Sequence, residues 1–252
     1  MRIALISDIH GNTIALDAVL GDIEAGGGAD EHWVLGDIVA LGHDPAGVLE
    51  RLTALPKPMF IRGNTDRYVV TGERPPPSEH DAVSDPALVP VIAEVAGTFA
   101  WTAGYLAATG WIDWLAALPT EHRRALPDGT RVLAVHASPL ADDGLGIGRK
   151  AGDDGIARLL DGCEADLVVG GHTHRPFDRM IGDVRAVNLG SVSNPVAPDL
   201  RASYVVIDAD EHGYMLEHRR VAYDCEAVIK ALDALNHPGR SWLIAHHRRQ
   251  RR

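Results

Sequence analysis

The first seventy positions switch between two hydrophobic periods. Residues 3–7 form a short apolar run suited to a buried strand. Residues 13–24 set Ile14, Leu16, Val19, Leu20 and Ile23 at helical spacing before Gly26-Gly27-Gly28 breaks the pattern. A second strand is predicted at 32–35, a second helix at 46–55, and a third strand at 59–62 after Pro58. Strands and helices in alternation, joined by short breaks, imply right-handed βαβ units and a largely parallel sheet.

The rhythm changes after Val70. Pro75, Pro76, Pro77 and Pro86 keep residues 74–86 from forming long regular structure. Residues 90–118 are Ala-rich, carry Trp101, Trp111 and Trp114, and predict two helices broken near Thr109-Gly110. Residues 95–112 hold no charge, which is long enough for a membrane span, but Gly97, Thr98, Thr102, Gly104, Thr109 and Gly110 dilute the run. The expectation is therefore a core or lid helix pair, with no membrane association. Alternation resumes with a strand at 132–135, a helix at 154–160 and a strand at 166–169. Residues 184–189, 203–207 and 214–221 are antiparallel in character, and 225–235 predict a final helix. One domain over 1–224, with a helical insertion at about 70–120, and a C-terminal helix with a basic tail over 225–252 describe the organisation. The tail, with His246, His247 and four arginines, is expected to be solvated and frayed.

Composition narrows the function classes. Hydrophobic residues make up 46% of the chain and charged residues 23%, as in soluble globular proteins. Lys and Arg number 24 against 35 Asp and Glu, a net charge of −11 that argues against nucleic-acid binding. It leaves phosphate substrates open, because bound cations reverse a local field. Cys163 and Cys225 cannot build a disulfide framework, and the opening residues predict no secretory leader, so a cytoplasmic setting is expected. Nothing in the sequence speaks for a homo-oligomer.

Five predicted strands run into side chains that bind metals. The first leads to Ser7-Asp8-Ile9-His10-Gly11-Asn12, the second to Gly36-Asp37 and the third to Gly63-Asn64-Thr65-Asp66. The strand at 132–135 delivers His136, and that at 166–169 leads to Gly171-His172-Thr173-His174. Carboxyl ends of parallel strands share one edge of a sheet, so groups far apart in sequence converge there. Asp8, His10, Asp37, Asn64, His136, His172 and His174 are thus candidate metal ligands. Their oxygens and imidazoles, with no thiolate, suit Mn, Fe, Zn, Ni or Co rather than Ca. Seven donors exceed a four-ligand structural zinc site and suit two ions that share a carboxylate.

This ordered set resembles the calcineurin-like metallophosphoesterases. Gly63-Asn64-Thr65-Asp66, His136-Ala-Ser-Pro139 and Asn188-x-Gly190-Ser191 are similar to their small bacterial and archaeal phosphodiesterase branch, over residues 2–222 apart from the insertion. The resemblance implies an α/β fold, a four-layer αββα sandwich of two mixed sheets flanked by helices, with a helical insertion. It also implies two divalent metal ions. One would lie between Asp8, His10 and His174, the other between Asn64, His136 and His172, with Asp37 bridging and a shared hydroxide as nucleophile. Asp37, Asn64, Asp66 and His136 form the expected catalytic set, with Asn12, His43 and Thr65 as substrate contacts. Many superfamily phosphatases carry a histidine where this chain has Thr65, so the resemblance implies a phosphodiesterase acting on a small phosphate ester or nucleotide. A phosphomonoesterase, a dinucleoside polyphosphate hydrolase and a non-catalytic interaction scaffold are the alternatives.

Overall fold

The strand β1 (Arg2–Ile6) has two apolar faces, and both are buried. Ile3 and Leu5 point into the space between two sheets, where they meet Trp33, Leu35, Val132, Ala134, Leu167, Val169 and Val205. Ala4 and Ile6 point the other way, against Leu16, Val19, Val48 and Leu49 of outer helices. Period-2 alternation with hydrophobics on both faces is what an interior strand of a layered α/β protein requires. The computed structural model describes residues 1–196 and 199–249, and the expected tail residues Arg251 and Arg252 lie outside them.

The first sheet has β1, β2 (Glu31–Leu35) and β3 (Pro58–Ile61) in parallel, continued on the other side of β1 by antiparallel β9 (Ala202–Asp210) and β10 (Gly213–Val221). The helices α1 (Thr13–Ala25) and α2 (Pro45–Thr53) connect its parallel strands. In the second sheet β5 (Arg131–Val135), β6 (Leu167–Gly170) and β8 (Val184–Asn188) run parallel. Antiparallel β4 (Glu121–Ala125) and β7 (Phe177–Ile181) form its edges. The two mixed five-stranded sheets, flanked by helices, are the expected sandwich.

Several local expectations need correction. Residues 184–189 were placed with the antiparallel strands, yet β8 pairs parallel with β6 and antiparallel only with β7. The edge strands β4 and β7 give no alternating signal because most of their residues face solvent, and backbone pairing alone defines them. The segment after Asn64 is a helix, α3 (Asn64–Thr71). The described part of the basic tail is helical rather than frayed: after α8 (Cys225–Ala234), residues Arg240–Arg249 form a last helix that packs on it through Leu243 and Ile244.

The insertion holds a short helix at Glu79–Ser84, a 3-10 turn at Pro86–Leu88, α5 (Val89–Thr109) and α6 (Ile112–Ala116); here α4 denotes Glu79–Ser84, α7 the later helix Gly152–Leu160, and α9 the last helix. Gly110, with φ of 80°, ends α5 where the helix break was predicted. Residues Pro86–Thr109 are long and apolar enough to cross a membrane, by length and composition only. Here α5 buries one stripe, Thr98, Phe99, Thr102 and Leu106, against α2, α3 and α6, while Val89 and Val91 stay exposed. The tryptophans serve packing: Trp114 meets Phe60 and Trp111 edge-on, and Trp101 meets His237.

Candidate metal centre

All seven predicted ligands meet at the carboxyl ends of the strands, but those strands belong to two sheets. β1, β2 and β3 deliver Asp8, His10, Asp37 and Asn64 from the first sheet; β5 and β6 deliver His136, His172 and His174 from the second. Hydrogen bonds fix the turns within each sheet and the seam between the two. Asp8 N–H donates to the Gly36 carbonyl (3.1 Å), Gly171 N–H to that of His136 (2.8 Å), and His172 N–H to the Asp8 carboxylate (3.0 Å).

The backbone at these turns is strained. Among the described non-glycine residues, nine have positive φ, and five of them are Asp8, His10, Asp37, His172 and His174. Each such conformation costs on the order of 1–3 kcal/mol and persists only when its surroundings impose it. Glycine makes room at two points of closest approach. A Cβ on Gly36 would stand 2.7 Å from His136 Nδ1, and one on Gly171 would overlap Ser7 and the Asp8 carboxylate.

The donors form two groups with Asp37 between them. In the first, the ligand atoms of Asp8, His10, Asp37 and His174 all lie within 4.8 Å of one another. His174 Nε2 is 3.1 Å from both His10 Nε2 and Asp8 Oδ1. In the second, the Asn64 side-chain amide lies 3.1 Å from His136 Nε2 and 2.9 Å from His172 Nδ1, its nitrogen donating to both rings. Asp37 turns Oδ2 toward His10 (3.8 Å) and Oδ1 toward His136 (3.3 Å).

Three of the histidines are held by their other nitrogen. His136 Nδ1 donates to the Leu35 carbonyl (2.7 Å), His174 Nδ1 to that of Asn194 (2.8 Å), and His172 Nε2 to that of Gly144 (2.9 Å). A carbonyl can only accept, so these bonds place one ring proton outside and turn the other ring nitrogen toward the cluster. This is how proteins orient imidazole ligands. His10 differs: its Nδ1 is buried with no hydrogen-bond partner.

Electrostatics make the cluster costly without a cation. Asp8 is fully buried, and Asp37, His10 and His136 are at most 2% exposed. Burial pushes Asp8 and Asp37 up, yet the adjacent histidines hold both below the usual carboxylate range, with His174 acting on Asp8 and His136 on Asp37. Burial opposes charge on His136 too, but Asp37 drives it up to about 10, while burial takes His10 down to about 4. Burying an ion costs several kcal/mol. Divalent cations would replace the ring protons and satisfy the converging lone pairs. The donor set therefore fits such ions.

The remaining predicted residues separate by position. Asp66 is fully buried behind the cluster, where its carboxylate accepts N–H bonds from Ile38 (2.9 Å), Val39 (3.3 Å) and Gly63 (3.0 Å). It holds the Asp37 and Asn64 turns from behind the donors. Burial, then Asp37, pushes it up to about 7. Thr65 donates its N–H to Asp37 Oδ1 (2.9 Å), and its buried hydroxyl has no hydrogen-bond partner. Asn12, expected at the substrate, caps α1 by accepting from Ala15 N–H (3.1 Å), and its amide donates to Ser193 Oγ (3.0 Å). His43, also expected there, is buried beside Thr13, whose Oγ1 is 3.1 Å from its Nε2, and its bonds involve none of the seven donors.

Some contributors were given no role in the site by the sequence. Ser191 Oγ donates to the Asp8 carbonyl (3.0 Å), and Asn194 orients His174 through a backbone carbonyl that any residue would supply. Pairing the C-terminal helices with the His10 side, where Leu232, Leu243 and His247 border His10 and Asn12, was not foreseen.

Residues 1–212 match the family model of the calcineurin-like phosphoesterase superfamily domain. An uncharacterized protein of Methanocaldococcus jannaschii is 28% identical over 245 residues, covering 91% of each chain. A hypothetical protein of Pyrococcus horikoshii OT3 has a similar solved structure, with a TM-score of 0.79 at 20% identity over 97% of this chain and 96% of that one. A metallophosphoesterase from Sphaerobacter thermophilus has a TM-score of 0.74 at 26% identity, over 98% of both chains.

Proposed function

Because the chain belongs to the calcineurin-like phosphoesterase superfamily, and so is a metal-dependent phosphoester hydrolase, we propose that it is a dinuclear phosphodiesterase acting on a small phosphate ester or nucleotide. The observation that carries this reading is the position of Asp37, with one oxygen toward each donor group. Asp8, His10 and His174 would hold one ion, and Asn64, His136 and His172 the other, with Mn, Fe, Zn, Ni or Co as candidates. When bound, such ions supply charge that neutralises phosphate oxygens and lowers the pKa of water toward neutrality.

The protein's own part is to hold the donors still. Asp66 fixes the turns that carry Asp37 and Asn64, and three backbone carbonyls fix the rings of His136, His172 and His174. Positioning of this kind, more than covalent chemistry, drives phosphoryl transfer. The diester preference rests on Thr65. Its hydroxyl is no acid near neutral pH, and His43 is engaged with Thr13, so neither serves as a proton donor to an alkoxide leaving group. Esters with good leaving groups need no such donor. The complete donor set speaks against a scaffold that has lost its chemistry. A composition with only two cysteines supports a cytosolic setting.

The test is hydrolysis of an aryl phosphodiester and the matching monoester by metal-stripped protein, with Mn²⁺, Ni²⁺, Co²⁺, Zn²⁺ and Mg²⁺ restored separately. Metal-restored turnover larger on the diester supports the proposal. Monoester preference, or no turnover with two ions bound, overturns it.

A further inference from the structure

Beside the metal centre lies a pocket of about 260 Å³ whose walls include Arg149, Lys150 and Arg175 together with His172 and Thr173, and no acidic residue among the described ones. We infer that this pocket is a subsite for a second phosphate group on the substrate. The inference rests on the phosphoesterase reading and names the class of ester that the site would favour.

Three observations carry it. First, the chain has a net charge of −11, yet three cations line one small pocket with no carboxylate among its described lining residues. Of the carboxylates flanking this loop in the chain, Asp142 and Asp143 pair with Arg67 (2.9 Å each) and Asp153 with Arg179 (2.6 Å). Three clustered cations repel one another unless an anion sits among them. Second, the pocket adjoins the metal centre through a single ring. One nitrogen of His172 faces Asn64, while the other is bonded to the carbonyl of Gly144, which itself lines the pocket. The loop from Gly144 to Lys150 is pressed against that ring, since a Cβ on Gly146 would stand 2.9 Å from His172 Cδ2. A group bound at the metal centre and one bound in the pocket are thus neighbours.

Third, size and chemistry match one dianionic group. Pockets that enclose drug-sized ligands run to roughly 300–1,000 Å³, so this one suits a fragment of a substrate rather than the whole. Guanidinium forks pair with phosphate oxygens through two parallel hydrogen bonds, and lysine adds a point charge. Thr173, with its side chain against Gly148, adds a hydroxyl to the same wall.

The experiment compares thymidine 5′-(p-nitrophenyl phosphate) with the same diester carrying a 3′-phosphate, using metal-loaded full-length protein and the Arg149→Gln/Lys150→Gln/Arg175→Gln variant. The wild type is expected to favour the bisphosphate by at least tenfold in kcat/KM, through KM. The variant is expected to lose that preference and keep its rate on the plain diester. A wild type without preference, or a variant that loses both activities equally, overturns the subsite. A second readout separates this from the diester reading: calorimetric binding of methylenebisphosphonate to the same two proteins. Binding at least tenfold weaker in the variant supports the subsite even where neither diester is hydrolysed, and equal binding overturns it.

Discussion

The Nε2 atoms of His10 and His174 stand 3.1 Å apart although 164 positions separate the two residues in the chain. His174 Nδ1 bonds to the Asn194 carbonyl, so the contact between the two Nε2 atoms needs a proton on one of them in the metal-free protein. That arrangement leaves His10 Nδ1 buried and unsatisfied, a cost of about 1–3 kcal/mol. A cation between the rings removes the need for the donated proton.

Asp37→Asn should weaken both donor groups together, since one side chain faces each. Loss of turnover by roughly 100-fold or more is expected, beyond the 10–100-fold typical of residues that only support a ligand. Bound metal should fall below two ions per chain by elemental analysis. Near-normal turnover with full metal content would remove Asp37 from the shared position.

Asp66→Asn should act through the backbone. The amide keeps one acceptor where the carboxylate serves three N–H groups, so stability should drop by about 1–3 kcal/mol. Metal affinity should fall about 10–100-fold, with excess metal restoring most of the turnover. Turnover that excess metal leaves abolished would mean that the carboxylate takes part in the reaction itself.

Thr65→His places an imidazole where the buried hydroxyl has no partner. Monoester turnover should rise relative to diester turnover by roughly the 10²–10⁴-fold that general-acid catalysis contributes, or some fraction of it. The readout is the ratio of the two kcat/KM values, and an unchanged ratio would show that proton donation is not the limit.

His237 links stability to pH. Its ring is almost wholly buried against Trp101, and burial, with His43 nearby, takes it down to about 4. Between that value and the ordinary histidine value of 6.5, the unfolded chain binds the proton more tightly than the folded one, so stability rises with pH through this window and is complete above it. The melting temperature should therefore fall from pH 6.5 toward pH 4, and His237→Asn should flatten the decline. A decline of unchanged slope in the variant would place the acid sensitivity elsewhere.

The metal centre was legible in the sequence because each donor follows an apolar strand, and strand order forces strand ends together. What the sequence could not show is that Asp37 and His136 come from different sheets, since both follow runs of the same kind. Asp66 looked like its chemically active neighbours; only its three backbone donors reveal a supporting place. Asn12 and His43 stand near donors along the chain, but His43 bonds to Thr13 of α1 and Asn12 divides its amide between α1 and Ser193. Strand β4, reading Glu-His-Arg-Arg-Ala, has no hydrophobic period to find, because β5 supplies the pairing and solvent the other face. The cations of the basic pocket come from separate loops, and no spacing joins them.

The two sheets touch through apolar side chains such as Trp33, Leu167 and Val205, which resist separation but give little direction against sliding. At the carboxyl ends of the strands directional polar contacts stitch the layers, Leu35 to His136 and Asp8 to His172, and an ion pair between Arg124 and Glu31 joins them elsewhere. An ion held at the strand ends acts as a rivet through both layers, and it closes a loop running from residue 10 to residue 174. The grip on metal is thereby a gauge of how the two halves of the molecule sit against one another.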